Sequence, residues 1–255
     1  MPQTPDLALD PRPADKSGER IRAMFGRVAR RYDLLNHLLS ASLDRVWRRR
    51  LTRSLGLPAA ARILDLCSGT GDQAESLRGS GRRIVAADFC LPMLALARPK
   101  FARPGPPAPR PANADALRLP FADGVFDAVT VSFGVRNVAD LDRALAEIAR
   151  VLRTGGELGI LEFAVPRFPP LRALYLFYFR RLLPAVGRWI SGDGAAYSYL
   201  PESVLGFPQR EDFLARLAAA GFAAPRFASM SGGILCLYRA RRATHPVGSG
   251  AGRRR

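Results

Sequence analysis

From residue 62 onward, short apolar runs alternate with helical patterns, and that alternation confines the chain to one class of fold. Arg62 to Cys67 (RILDLC), Arg83 to Asp88 (RIVAAD), Phe126 to Ser132 (FDAVTVS) and Leu158 to Phe163 read as buried strands. Between them lie a helix opening after Gly69, a helix from Leu91 to Leu96 that Pro99 must end or kink, and an amphipathic helix from Leu141 to Leu152. Glu211 to Ala219 reads as a further helix and Ile234 to Tyr238 as a last strand. Strand and helix in turn mean βαβ units, hence an α/β domain with a parallel sheet covered on both faces.

The flanks have a different character. Residues 1–19 are rich in Pro and Asp and have no period, which predicts a disordered leader. Over 20–57, apolar residues recur every three or four positions, with Arg27, Arg30, Arg31, Arg45, Arg48, Arg49 and Arg50 on the other faces. This predicts a helical cap with a turn between Asn36 and Ser42. The segment 166–208 reads as an insertion over the site, and 241–255 as a disordered basic tail on a domain spanning 20–240.

Thirty-nine basic residues against 22 acidic give a formal net charge of +17, which raises the question of a nucleic-acid or membrane partner. Lys16 and Lys100 are the only lysines, so an arginine-rich coding bias explains much of that charge, and part of it falls in the run from Arg239 to Arg255. No nucleic-acid partner is expected. Three scattered cysteines and two histidines exclude a disulfide scaffold and a zinc ribbon and argue against a His-ligated metal, so no metal is expected. The most apolar stretch, Leu174 to Phe179, stops at Arg180 and Arg181 and is too short to span a bilayer.

The richest chemistry lies in Ile63 to Asp72 (ILDLCSGTGD), a glycine turn directly after a buried strand, where backbone approaches a ligand at a helix N-terminus. Gly69 to Ala74 also satisfies G-x-G-x-x-A, so a nicotinamide enzyme has to be weighed. Asp72 sits where a pyrophosphate would lie, and its carboxylate repels phosphate. Asp65, four residues before the first glycine, suits a cationic ligand such as S-adenosylmethionine (SAM). Asp88 ends the second strand 23 residues later, at the position of an acid that binds a ribose diol; a capping Asp is the plainer reading. Asn113 to Ala116 forms a turn that suits an adenine edge. Acid, acid and Asn/Asp in this order resemble a class I SAM-dependent methyltransferase.

Beyond the cofactor half, MFGRVARRYDLLNHLLS (24–40), DLCSGTGD (65–72), VSFGVRNV (131–138), ILEF (160–163), ISGDGAAYSYLPESV (190–204) and SGGILCLY (231–238) together resemble the quinone C-methyltransferases. That family methylates demethylmenaquinol or the 2-methoxy-6-polyprenyl-1,4-benzoquinol precursor of ubiquinone. The resemblance implies a Rossmann-like doubly wound sheet with an antiparallel last strand, a helical cap and a helical lid. It also implies SAM contacts through Thr70, Asp88, Asn113, Ala114 and Ser132, with Asp65, Gly69 and Gly71 completing the turn on physical grounds. Three features depart from the family: Tyr238 replaces its usual His, Cys90 its frequent Ser, and the proline-rich 98–111 its third strand. Such a segment can hardly pair inside a sheet.

Ring C-methylation needs a phenolate-like oxygen stabilised at the acceptor. Arg136 is expected to offset that charge, or else to form a structural salt bridge, and Asn137 to fix a hydroxyl or water. Asp193, Tyr197 and Tyr199 are candidate proton acceptors or ring contacts, packing being the plainer role of the tyrosines. Leu171, Leu174, Tyr175, Phe177, Tyr178, Leu182 and Leu183, flanked by Arg172, Arg180, Arg181 and Arg188, suit a polyprenyl tail or the anionic inner face of a membrane, or simply a cap core. The expected activity is C-methylation of polyprenyl demethylmenaquinol by a cytoplasmic enzyme that touches the inner face of the cell membrane. The alternatives are the ubiquinone precursor as acceptor, and a non-catalytic SAM-fold scaffold.

Overall fold

The computed structural model describes residues 18–26, 40, 42–79, 81–182 and 194–244. A helix over 18–26 (α1) and a second, α2 (Leu43–Ser54), precede the sheet. Then come β1 (Arg62–Leu66), α3 (Asp72–Leu77), β2 (Arg83–Asp88), α4 (Leu91–Phe101), β3 (Arg110–Asn113), β4 (Phe126–Ser132), α5 (Leu141–Val151) and β5 (Leu152–Phe163). The insertion carries α6 (Pro169–Phe177), a π-turn at Tyr178–Leu182 and α7 (Gly194–Leu205). The chain then forms α8 (Glu211–Ala219), β6 (Phe222–Met230), a 3₁₀ turn at Ser231–Gly233 and β7 (Leu235–Arg242).

Seven strands form one sheet in the order β3-β2-β1-β4-β5-β7-β6. β1 to β5 pair in parallel, and β7 runs antiparallel to both β5 and β6, so the last strand is antiparallel. Alternation along β1 sends Ile63 and Leu64 to opposite faces. Leu64 joins Val129, Leu145, Ile148, Phe213 and Leu217 beneath α5 and α8. Ile63 joins Ala74, Leu77, Ala97 and Phe101 beneath α3 and α4. On that second face α2 buries Trp47, Leu51 and Leu55 against β5 and β7.

Several expectations need correcting. Of the two outcomes expected at Pro99, an end or a kink, the first does not occur: α4 runs two residues further, to Phe101. The proline-rich segment does supply a strand: β3 pairs with β2 through Val85–Arg110 to Asp88–Asn113. It is tolerated because β3 is the sheet's edge, where a proline's missing N–H leaves no interior ladder broken. β6 was not foreseen at all. β7 continues through Arg242, two residues past the expected domain end, and Arg239 and Arg241 both ion-pair with Glu157 instead of lying in a tail. Gly18 and Glu19, expected in the leader, are helical. Arg48, expected on an outer face, is buried with its guanidinium 5.2 Å from the centre of the Phe133 ring.

Candidate active site

At the carboxyl edge of the parallel strands lies a cavity of about 210 Å³. Its polar lining comes from Asp88, Asp115, Ser132 and Asn137, and its apolar walls from Phe25, Leu66, Phe89, Met93, Ala114 and Val138. Backbone strain collects at its floor. Cys67 and Phe133, which follow β1 and β4, both have positive φ (53° and 63°), a region that non-glycine residues rarely occupy. Gly134 packs so tightly over Cys67 that a Cβ there would lie 2.3 Å from the Cys67 Cβ.

The glycine turn is held by carboxylates on both sides. Asp88 Oδ2 accepts the Gly69 N–H at 2.8 Å and Oδ1 accepts the Cys90 N–H at 2.8 Å. A third backbone donor, the Phe89 N–H, also acts on the carboxylate, which faces the cavity with acceptor capacity left for a ligand. Burial raises its pKa, while those backbone donors pull it down. Asp65 lies deeper: it is fully buried, accepts from Ser68 Oγ at 2.7 Å and Thr130 Oγ1 at 2.8 Å, and does not line the cavity. Its expected contact with a cationic ligand is therefore corrected to a hold on the turn from below. Burial pushes its pKa up to about 6.

The remaining sequence candidates fall into distinct places. Gly69 lines the cavity, whereas Gly71 (φ 85°) caps α3 and lies against α4, where a Cβ would come 2.6 Å from the Phe101 ring. Thr70 is buried and does not reach the lining. Asn113 does not reach it either; its amide donates to the Asp88 carbonyl at 2.9 Å and pins β3 to β2, while Ala114 beside it lines the wall. Ser132 lines the cavity and donates to Gln73, which in turn donates to Thr52 of α2.

Arg136 takes the structural alternative. It is buried, pairs with the fully buried Glu162 at 2.7 Å, and also donates to Ser203 and the Phe133 carbonyl. Its charge is neutralised within the protein and it does not line the cavity, so it is not placed to offset charge on an acceptor. Asn137 does line it. Tyr199 donates its hydroxyl to Asn137 Oδ1 at 3.1 Å, which fixes the amide with its nitrogen as the donor left for the cavity. Asp193 lies outside the described residues. Tyr197 falls on α7, and its side chain is outside the description.

Sequence reasoning missed Phe25, Phe89 and Met93 as lining residues, whereas Asp115 lies in the turn it assigned to an adenine edge. Phe89 was recoverable, since it directly follows the ribose-type acid; Phe25 was not, because nothing local ties it to the sheet edge. Tyr238, the departure from the family's His, accepts the Arg210 N–H at 2.8 Å and packs edge-on to Phe213, away from the cavity. Burial, together with Asp88 and Asp65, holds the Cys67 thiol well above its usual pKa, so it remains protonated. Among the described residues no cluster of three His, Cys, Asp or Glu side chains is arranged to hold a metal.

Residues 14–242 match the ubiE/COQ5 methyltransferase family. The chain is 49% identical over 217 residues to the demethylmenaquinone methyltransferase of Thermus thermophilus, covering 84% of this chain and 98% of that protein. It is 42% identical over 241 residues to the demethylmenaquinone methyltransferase of Parafrankia sp., covering 89% and 95%. A third relative, the ubiquinone/menaquinone biosynthesis C-methyltransferase UbiE of Geobacter sp., is 44% identical, covering 88% and 96%. Among solved structures, a SAM-dependent methyltransferase from Aquifex aeolicus superposes with a TM-score of 0.59 at 16% identity, covering 79% and 92%. The cyclase SpnF superposes at 0.63 with 17% identity, covering 90% and 97%. These structural neighbours share the fold while one is named for a different reaction, so the fold alone does not fix the chemistry.

Proposed function

The chain belongs to the ubiE/COQ5 methyltransferase family, and from that premise we propose that it C-methylates polyprenyl demethylmenaquinol to menaquinol with SAM as methyl donor. The observation that carries the reading is the 49% identity to the Thermus thermophilus demethylmenaquinone methyltransferase across 98% of that protein.

The cavity residues fit the donor. Asp88 faces the cavity with acceptor capacity left for a ribose hydroxyl, and Gly69, at φ 57°, lets backbone approach. Ala114 and Phe89 offer apolar surface to an adenine, and Ser132 a polar contact at the end of β4. When bound, SAM supplies an electrophilic methyl on a sulfonium.

The protein's own work is to ready the acceptor. A quinol carbon becomes nucleophilic as its neighbouring hydroxyl, with a free pKa of about 10, gives up or shares its proton. The Asn137 amide nitrogen, oriented by Tyr199, is the donor that meets the developing oxyanion in a cavity walled by apolar side chains. Asp193 and Tyr197 remain our candidates for receiving the proton. Arg136 acts through position: its pair with Glu162 holds the turn that carries Asn137. The prenylated acceptor is a lipid, and we place the encounter at the inner face of the cell membrane, with the protein otherwise cytoplasmic.

The test is methyl transfer from labelled SAM to chemically reduced demethylmenaquinone, with 2-methoxy-6-polyprenyl-1,4-benzoquinol in parallel. Label in menaquinol is the expected result. Label only in the benzoquinol overturns the substrate, and label in neither while SAM binds overturns the enzymatic reading.

A further inference from the structure

Among the described residues, the large apolar side chains that remain exposed all lie towards one edge of the sheet. Leu43 and Val46 occupy the first turn of α2. Phe168, Leu174 and Phe177 belong to α6 and its cap, with exposures of 65, 64 and 56%. Leu91 opens α4 directly after β2, and Leu205 ends α7. The opposite edge, where β1 to β4 begin, exposes Arg, Ala and Pro but, among the described residues, no large apolar side chain.

The two main groups belong to one rim. Trp47 of α2 donates to Ser231 Oγ at 3.0 Å, and the adjacent Gly232 packs so closely on Leu171 of α6 that a Cβ there would lie 2.6 Å away. The 3₁₀ turn Ser231–Gly233, at the carboxyl end of β6, thus ties both helices together. Arg45 and Arg49 on α2, and Arg167, Arg172 and Arg181 around α6, are exposed beside the apolar side chains. The cavity lies at this same carboxyl edge.

We infer that this rim is a docking surface for an anionic lipid bilayer, oriented so that the cavity faces the membrane. Charge alone does not choose the orientation, because the opposite edge also exposes arginine (Arg83, Arg103, Arg110). Apolar insertion does, since among the described residues the exposed large apolar side chains lie at the rim. Long-range attraction brings a +17 chain to a negative surface, and shallow burial of Phe168, Leu174, Phe177, Leu43 and Val46 seats it. No described helix is long and apolar enough to cross the membrane, so the contact is interfacial. The purpose of the surface, collecting a prenylated quinol, rests on the proposed function; the surface itself does not.

Flotation with vesicles of phosphatidylglycerol and phosphatidylcholine tests the inference on the full chain. The wild type is expected to bind, with F168S/L174S/F177S and, separately, L43S/V46S weakening binding at least about tenfold each. R83Q/R103Q/R110Q at the opposite edge is expected to change it by less than about threefold. Two variant sets on different helices guard against one misfolding, and methylation of a demethylmenaquinol analogue lacking the prenyl tail should stay at the wild-type rate in both. Wild-type protein that does not float, rim variants that float unchanged, or loss confined to the opposite-edge variant overturns the docking surface. A wild type that floats but methylates no quinol overturns the substrate reading and leaves the surface standing.

Discussion

Asp65 holds its carboxyl between the Ser68 and Thr130 hydroxyls with no exposure to water, and burial pushes its pKa from 3.8 to about 6. Because the folded protein binds this proton more tightly than the unfolded chain, its contribution is fully present below about pH 4. It is lost as pH rises through about 6, on the order of 3 kcal/mol. In D65N the two hydroxyls can rotate to serve an amide. Urea unfolding of both proteins between pH 4 and 7 is expected to show D65N gaining on the wild type as pH rises, and parallel profiles would refute the assignment. Asp88 is the opposite case, a carboxylate whose protein donors leave room for a ligand. D88N sets an amide group where the Gly69, Cys90 and Phe89 backbone N–H donors converge, and calorimetric affinity for S-adenosylhomocysteine should fall about 10- to 100-fold. Asp88 was legible because a strand end and a glycine turn at fixed spacing define it locally. Arg136 was not, because the Glu162 that claims its charge lies 26 residues away on β5.

At the level of elements, the docking of α2 turns on a single glycine. A Cβ on Gly159 of β5 would lie 2.5 Å from Leu51 Cδ1 and 3.1 Å from Leu55 Cδ2, so helix and strand meet at side-chain-free contact. G159A is expected to cost about 1–3 kcal/mol by overpacking, and L51A about 2–5 kcal/mol by leaving a cavity. Each mutation relieves the other's fault, so the double variant should be more stable than the sum of the two; additive losses would show that the helix shifts freely. This helix and the strands β1, β2 and β4 were readable because their periodicity matches one buried face or two. β3 and β6 were not. Pro111 argued against any strand until the edge position excused it. β6 exposes Ala223, Ala224, Arg226, Ala228 and Ser229, with Pro225 at a shift in its register, so its sequence carries neither a buried run nor a clean alternation.

Across the whole molecule, the cavity is closed by parts that sequence distance keeps apart. Tyr199 of α7 packs on Ile21 and Met24 of α1, with Phe25 and Phe89 alongside, and its hydroxyl reaches Asn137 beyond β4. No window of sequence could place these three segments together, although each motif was visible by itself; what reads well in a sequence is the sheet edge, and what does not is the roof above it. The roof makes a separable demand on one atom. Y199F keeps the ring packed against α1 and removes only the donor that orients the Asn137 amide, so thermal stability should drop by no more than about 1 kcal/mol. If the amide nitrogen is the oxyanion donor, freeing it to flip weakens the transition state more than the ground state. kcat for demethylmenaquinol should then fall about tenfold or more, with KM and S-adenosylhomocysteine affinity near wild type. N137A should fall at least as far, and adding Y199F to it should cost nothing further, because the hydroxyl then has no amide to orient. Losses that multiply in the double variant would mean that Tyr199 serves the reaction by closing the roof, independently of Asn137.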